Sequence, residues 1–204
     1  MRFFNVLTAT FALSRVSIAL PTSEEKAVKP ITGTILSTGT TEAGEPYTIT
    51  HGTRLLSDSE LSQWKAIDTV NVTETSLEKR EGEGTSANCN QWYSNKYCYC
   101  GGAITNRGDT YWGSQDHCAA HANDRGGTGI YGNSESNTIK WLPTVTIQYK
   151  IINSCGWTYT IGHKECGDLF LHLFDWCQWT WMTQKGGFFR LNNCITYWFD
   201  VNQR

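Results

Sequence analysis

Alternation of apolar and polar residues is the strongest pattern in the second half of the chain. Val145, Ile147, Tyr149 and Ile151 are interleaved with Thr146, Gln148 and Lys150, the period-two signature of a half-buried strand. Asn153-Ser154-Cys155-Gly156 is turn chemistry, and Trp157, Tyr159 and Ile161 alternate with threonines beyond it. The two runs are therefore expected to pair as an antiparallel hairpin. A second hairpin is expected where Phe188 to Leu191 meets Cys194 to Val201 across Asn192-Asn193, with Ile195, Tyr197, Phe199 and Val201 on one face. Helical patterning is scarcer. Residues 114–123 predict a short helix with Ser114 as its cap and Gly126-Gly127 as its stop. From Asp168, Leu169, His172, Leu173 and Trp176 fall on one helical face and Phe170, Phe174, Cys177 and Trp181 on another. This predicts a buried helix to about Cys177, followed by a strand over Trp179-Thr180-Trp181. The fold class that follows is α+β and β-rich, built from antiparallel hairpins with one or two short helices.

The first 80 residues read differently. Met1-Arg2, an apolar run from Phe3 to Leu13 and the small residues Ser17-Ile18-Ala19 predict a signal peptide over residues 1–19. Residues 20–80 hold no cysteine, one tryptophan (Trp64) and many Thr, Ser, Gly and Glu, a composition short of the apolar surface that offsets ordering entropy. Residues 31–36 and 47–50 nevertheless alternate, and a short helix over 59–67 is plausible with Ser57 or Ser59 as its cap. Asn71-Val72-Thr73 is an N-glycosylation sequon. The dibasic pair Lys79-Arg80 then divides a pro-segment, residues 20–80, from a mature cysteine-rich domain, residues 81–204. The division removes Trp64, His51 and Asn71 from the working protein.

All eight cysteines follow the dibasic pair: Cys89, Cys98, Cys100, Cys118, Cys155, Cys166, Cys177 and Cys194. In an exported domain they imply a disulfide-stapled fold of up to four bridges, with connectivity open. Cys98 and Cys100 are too close along a strand to bond each other, so each must reach elsewhere.

Leu77-Glu78-Lys79-Arg80 followed by Glu81-Gly82-Glu83-Gly84 resembles the kexin-type processing site of fungal secretory precursors. Signal, pro-segment, dibasic cut and cysteine-rich domain together resemble the layout of small secreted fungal effectors, including necrotrophic toxins, and of some yeast killer toxins. The resemblance implies a secreted, extracellular effector or toxin that is matured by a kexin-type protease and binds a host or target-cell protein such as a surface receptor.

Charge narrows the partners. After Arg80 there are nine Lys or Arg against ten Asp or Glu, and no basic cluster of the kind a nucleic-acid binder carries. No run reaches the roughly 18 apolar residues of a membrane span. Eight tryptophans and eight tyrosines in the same region fill a core or build a sugar- or lipid-contacting surface, with Trp176, Trp179 and Trp181 the candidates for joint exposure.

Four constellations carry candidate chemistry. Tyr97-Cys98-Tyr99-Cys100-Gly101-Gly102 followed by Cys118-Ala119-Ala120-His121 resembles the calcium loop and active-site helix of secreted phospholipases. That resemblance implies a Cys100–Cys118 bridge and His121 as general base, although Ala122 stands where the family's calcium-binding aspartate belongs. His117 and His121, four apart on the predicted helix, form a pair that zinc uses, but with no Glu between them and with His163 and His172 as distant third candidates. Arg107-Gly108-Asp109, in a Gly- and Asn-rich loop, suits recognition by a receptor. His163, Glu165 and His172 are the set a small fungal ribonuclease would need. No Gly-x-Ser-x-Gly elbow, phosphate loop or glycosidase-type carboxylate pair is present after Arg80. The expectation is a secreted binding protein without cofactor or metal, its interaction loops at 101–113 and 123–138. A hydrolase using His121, or an aromatic carbohydrate-binding module, is the alternative.

Overall fold

The computed structural model describes residues 34–66, 89, 92–93, 95–180, 183–192 and 194–204, all within one compact unit spanning Ile31–Arg204. Strands β1 (Thr34–Thr40) and β2 (Pro46–Leu55) are followed by helix α1 (Asp58–Ala66), then β3 (Trp92–Tyr93), β4 (Lys96–Cys98) and β5 (Thr105–Asn106). Helix α2 (Arg107–His121) and a 3₁₀ turn (Asn123–Arg125) lead to β6 (Ser134–Trp141) and β7 (Val145–Asn153). Helix α3 (His163–Trp176), β8 (Gln178–Thr180), β9 (Thr183–Gln184), β10 (Gly186–Asn192) and β11 (Ile195–Gln203) complete the chain. The strand pairings are antiparallel, in an eight-stranded sheet of order β1-β2-β6-β7-β11-β10-β4-β3 and a small sheet of order β5-β9-β8. The expected β-rich, disulfide-stapled α+β architecture is the one observed.

The alternation in β7 and β11 puts Ile147, Tyr149, Ile151, Ile195, Tyr197, Phe199 and Val201 inside, all fully buried. Phe170, Leu173 and Phe174 of α3 cover this face; the Phe170 ring meets Tyr197 edge-on at 5.0 Å, and Phe174 meets Phe199 at 4.9 Å. Burying so many rings is the main stabilising term of the fold. The β10–β11 hairpin forms as expected, and so do α3 and the strand after it. The first expected hairpin does not. Both edges of β7 are occupied, by β6 and β11, which leaves Tyr159 a single bridge to Ile130. The middle helix also starts earlier than Ser114: Asn106 caps it, its side-chain carbonyl accepting from the Asp109 amide at 2.7 Å, while the Ser114 hydroxyl bonds back to Tyr111 O within the helix.

Residues 34–66 are the larger surprise. Expected to be poor in structure beyond short strands and a short helix capped by Ser57 or Ser59, they form that helix as α1 and also a hairpin built into the sheet. β2 pairs with β6 from Thr48↔Trp141 to Leu55↔Ser134, so β6 supplies the backbone partners that the segment's own sparse apolar side chains do not replace. Ser57 and Glu60 make a capping box at the start of α1: Glu60 N donates to Ser57 Oγ, and Ser57 N to Glu60 Oε2. The helix crosses to the other face of the sheet, where the Trp64 ring meets Phe188 at 6.2 Å and Arg190 donates to Trp64 O at 2.8 Å.

Four disulfides staple the fold: Cys89–Cys100, Cys98–Cys177, Cys118–Cys166 and Cys155–Cys194. Cys98 and Cys100 reach elsewhere, as required. The Cys100–Cys118 bridge implied by the phospholipase resemblance does not form, because Cys118 points from α2 at α3 and meets Cys166 there.

Candidate functional site

Three histidines converge where β2, β6 and α2 meet. His117 and His121 share the inward face of α2, and both are buried. His51 lies on β2 directly opposite Thr138 of β6, and its ring stands 4.5 Å from that of His121 and 6.4 Å from that of His117. One ring nitrogen from each of the three lies within 4.8 Å of the others. The pair on the helix is legible in sequence; the third member, His51, lies in the expected pro-segment. A histidine at an alternating position of a strand was the only available signal.

Hydroxyls from β6 orient the rings. Thr138 Oγ1 lies 3.0 Å from His51 Nδ1 and 2.6 Å from His117 Nδ1. Since a hydroxyl carries one proton, at most one ring accepts from it, and the other takes the Nδ1–H tautomer that leaves Nε2 as a lone pair. Ser136 Oγ sits 3.2 Å from His117 Nε2. His121 Nε2 is buried with no hydrogen-bond partner, although buried polar atoms are normally satisfied. Phe170 closes the site edge-on to His117 at 5.6 Å. Gly127 is required behind it: a Cβ there would stand 2.4 Å from the carbonyl carbon of His121.

Burial and mutual proximity keep all three rings neutral. Burial lowers His51 below the ordinary imidazole range. Burial, then the neighbouring His121 and His51, push His117 well below it. His121 is brought down to about 3, by burial first and His51 second, against a backbone hydrogen bond with Gly129. Neutral imidazoles are the metal-binding form, and too weak a base to take a proton from water near neutrality.

The other sequence candidates are dispersed. Arg107-Gly108-Asp109 is the first turn of α2 and not a loop; Arg107 pairs with Asp175, and Asp109 with buried Lys140 at 2.7 Å. Gly108 and Asp109 do line a cavity of about 410 Å³ between α2 and the β1–β2 turn, with Tyr47, Trp112, Asp116 and Lys140. Its Asp116 carboxyl is raised by burial, with Lys140 opposing. Of the two loops expected to interact, 101–113 is largely taken up by β5 and α2, and 123–138 ends in β6. His163, Glu165 and His172 lie on α3 and not on a sheet face; His163 Nε2 contacts Gln115 O and His172 leans on Phe189. Trp176 and Trp179 are half-buried under Lys96 and Lys185, and Trp181 is outside the described residues. Among the described residues the exposed tryptophans are Trp112 and Trp157. The signal peptide, Asn71, Lys79 and Arg80 also fall outside the described residues. No described helix is long and apolar enough to cross a membrane.

The chain matches no protein-family model, no curated protein and no solved structure. Fold and site define it as a four-disulfide, antiparallel α+β protein with a three-histidine cluster beneath its edge hairpin.

Proposed function

We propose that the chain is the precursor of a secreted effector or toxin whose cysteine-rich domain binds a host or target-cell protein. In this reading residues 34–66 cover the edge of its sheet until a kexin-type protease cuts after Lys79-Arg80. The observation that carries it is the character of the covered strand. β6 is Ser134-Glu135-Ser136-Asn137-Thr138 at its start, buried yet wholly polar. A strand meant to stay interior is rich in branched apolar residues, whereas this one tolerates water once the hairpin leaves. An uncovered β6 edge presents free backbone groups to which an extended partner segment can add.

Two further features support binding over hydrolysis. His121, on which a hydrolase would rest, is buried and held at about 3, far from the value near the working pH that suits a general base. The cysteine pairings differ from the phospholipase pattern. The test compares wild-type protein, cut at Arg80, with an uncuttable Lys79→Ala/Arg80→Ala protein, for saturable binding to target-cell surfaces and for toxicity. Cut protein should bind and act while the uncuttable one does not. Equal activity of the two, or no saturable binding by the cut protein, would sink the proposal.

A further inference from the structure

The cluster at His51, His117 and His121 has the makings of more than core packing. Two histidines four apart on one helix face, a third from a facing strand, and neutral rings with inward nitrogens within 4.8 Å of one another are the donor set of a three-histidine metal centre. Two independent details point to a ligand. His121 Nε2 is an orphaned acceptor or donor in a buried site, an arrangement that costs stability unless something fills it. Thr138 Oγ1, at 2.6 and 3.0 Å from the Nδ1 atoms of His117 and His51, is placed as the outer group that fixes imidazole orientation around a metal, and the longer 3.2 Å contact of Ser136 with His117 Nε2 is the one an ion displaces. All-imidazole donors suit zinc and the late first-row ions and do not suit calcium or magnesium. The cysteines offer no rival thiolates, since all eight are in disulfides.

We propose that His51, His117 and His121 bind one divalent zinc-class ion, and that this ion clasps the β1–β2 hairpin to the cysteine-rich domain. Two ligands belong to α2 and one to β2, so the ion bridges the segments on either side of Lys79-Arg80. The centre is a property of the uncut chain, and it stands whether or not the domain proves to be a toxin. Release of the hairpin after the cut then requires His51 to give up its coordination bond.

The test uses the full exported chain, refolded with four disulfides verified by mass, and zinc titrated against a chromophoric chelator. Wild type should take up one equivalent, and cobalt in its place should show the intense visible absorption of a low-coordinate site. His51→Ala, at a half-buried strand position, should keep its circular dichroism and disulfides yet lose affinity by about 100-fold or more, at least the upper end of what outer-shell changes alone cost. His163→Ala should bind as wild type does. The clasp is overturned if wild type binds no stoichiometric zinc, or if His51→Ala retains its affinity within about threefold, under 1 kcal/mol; in the second case any ion sits on the helix pair alone.

Discussion

Beyond the β2–β6 backbone ladder, Arg54 ties the covering segment to the sheet by an ion-pair network, and its removal has a calculable cost. From β2 its Nε donates to Glu135 on β6 at 2.9 Å, and its two terminal nitrogens reach Glu60 on α1 at 2.9 and 2.6 Å. The Glu135 side chain is 3% exposed and that of Arg54 31%. Truncating one partner of a fully buried ion pair costs about 3–5 kcal/mol, whereas exposed pairs are worth about 0–1 kcal/mol. Arg54→Ala falls between these limits, because Lys150 still faces Glu135 at 3.2 Å and the Arg54–Glu60 half of the network is solvent-screened. A loss of about 1–2 kcal/mol is expected, read from urea melts of the uncut chain followed by tryptophan fluorescence. A double-mutant cycle with Glu135→Gln should recover part of that loss as coupling energy. An Arg54→Ala protein within about 0.3 kcal/mol of wild type, the noise of additivity between independent sites, would show that the segment does not hold the sheet through this network.

Other expectations follow from the same geometry. Phe170→Ala, at the crossing of His117, Tyr149, Phe174 and Tyr197, should cost about 3–5 kcal/mol in the same melts, and should also weaken zinc binding by loosening the wall of the cluster. Gly127→Ala should disturb His121 with no change in any ligand, so cobalt absorption should shift or vanish while the disulfides stay intact; an unchanged spectrum refutes the packing argument. In the loop-closure picture the bridge closing 79 residues, Cys98–Cys177, contributes about 4–5 kcal/mol and the one closing 11, Cys89–Cys100, about 3; paired Cys→Ala variants should rank in that order. The Arg54 hydrogen bond, first, and the Ser57 bonds hold Glu60 down at about 2 from an ordinary 4.5. Its folded value is depressed, so its contribution is complete above pH 4.5 and is lost as pH falls from there towards 2. Protection of the α1 amides, measured against the free-peptide exchange rate at each pH, should fall only in that window, and a loss of protection already at pH 6 would contradict the assignment.

Burial pattern decided what could be read in advance. β7, β10 and β11 were legible because one face of each is driven into a wholly apolar core, and α3 because its rings recur at helical spacing. β6 was not, since its positions facing α2 and β7 are Ser134, Ser136 and Thr138, which carry no hydrophobic alternation; without β6 the flanking run at 157–161 was the only visible partner for β7. The start of α2 was hidden because Gly108 and Gly113 are poor helix formers; Gly113 is there to let Tyr149 approach, its missing Cβ falling 2.4 Å from that hydroxyl. The site was half legible. His117 and His121 announce themselves by spacing on one helix. His51 depends on a strand pairing across the processing site, and composition argued for discarding the segment that carries it. Local sequence registers how little apolar surface residues 34–66 have of their own, not that a polar strand elsewhere in the chain waits to pair with them.

Residues 34–66 are part of the sheet, and amide hydrogen exchange on the uncut chain measures this directly. If β2 lies between β1 and β6, the amides of residues 46–55 that pair with β6 exchange slowly and in step with those of residues 134–141. Exchange of residues 46–55 at the rate of a free peptide, with β6 unprotected on that side, would contradict the fold, the histidine cluster and the metal clasp together.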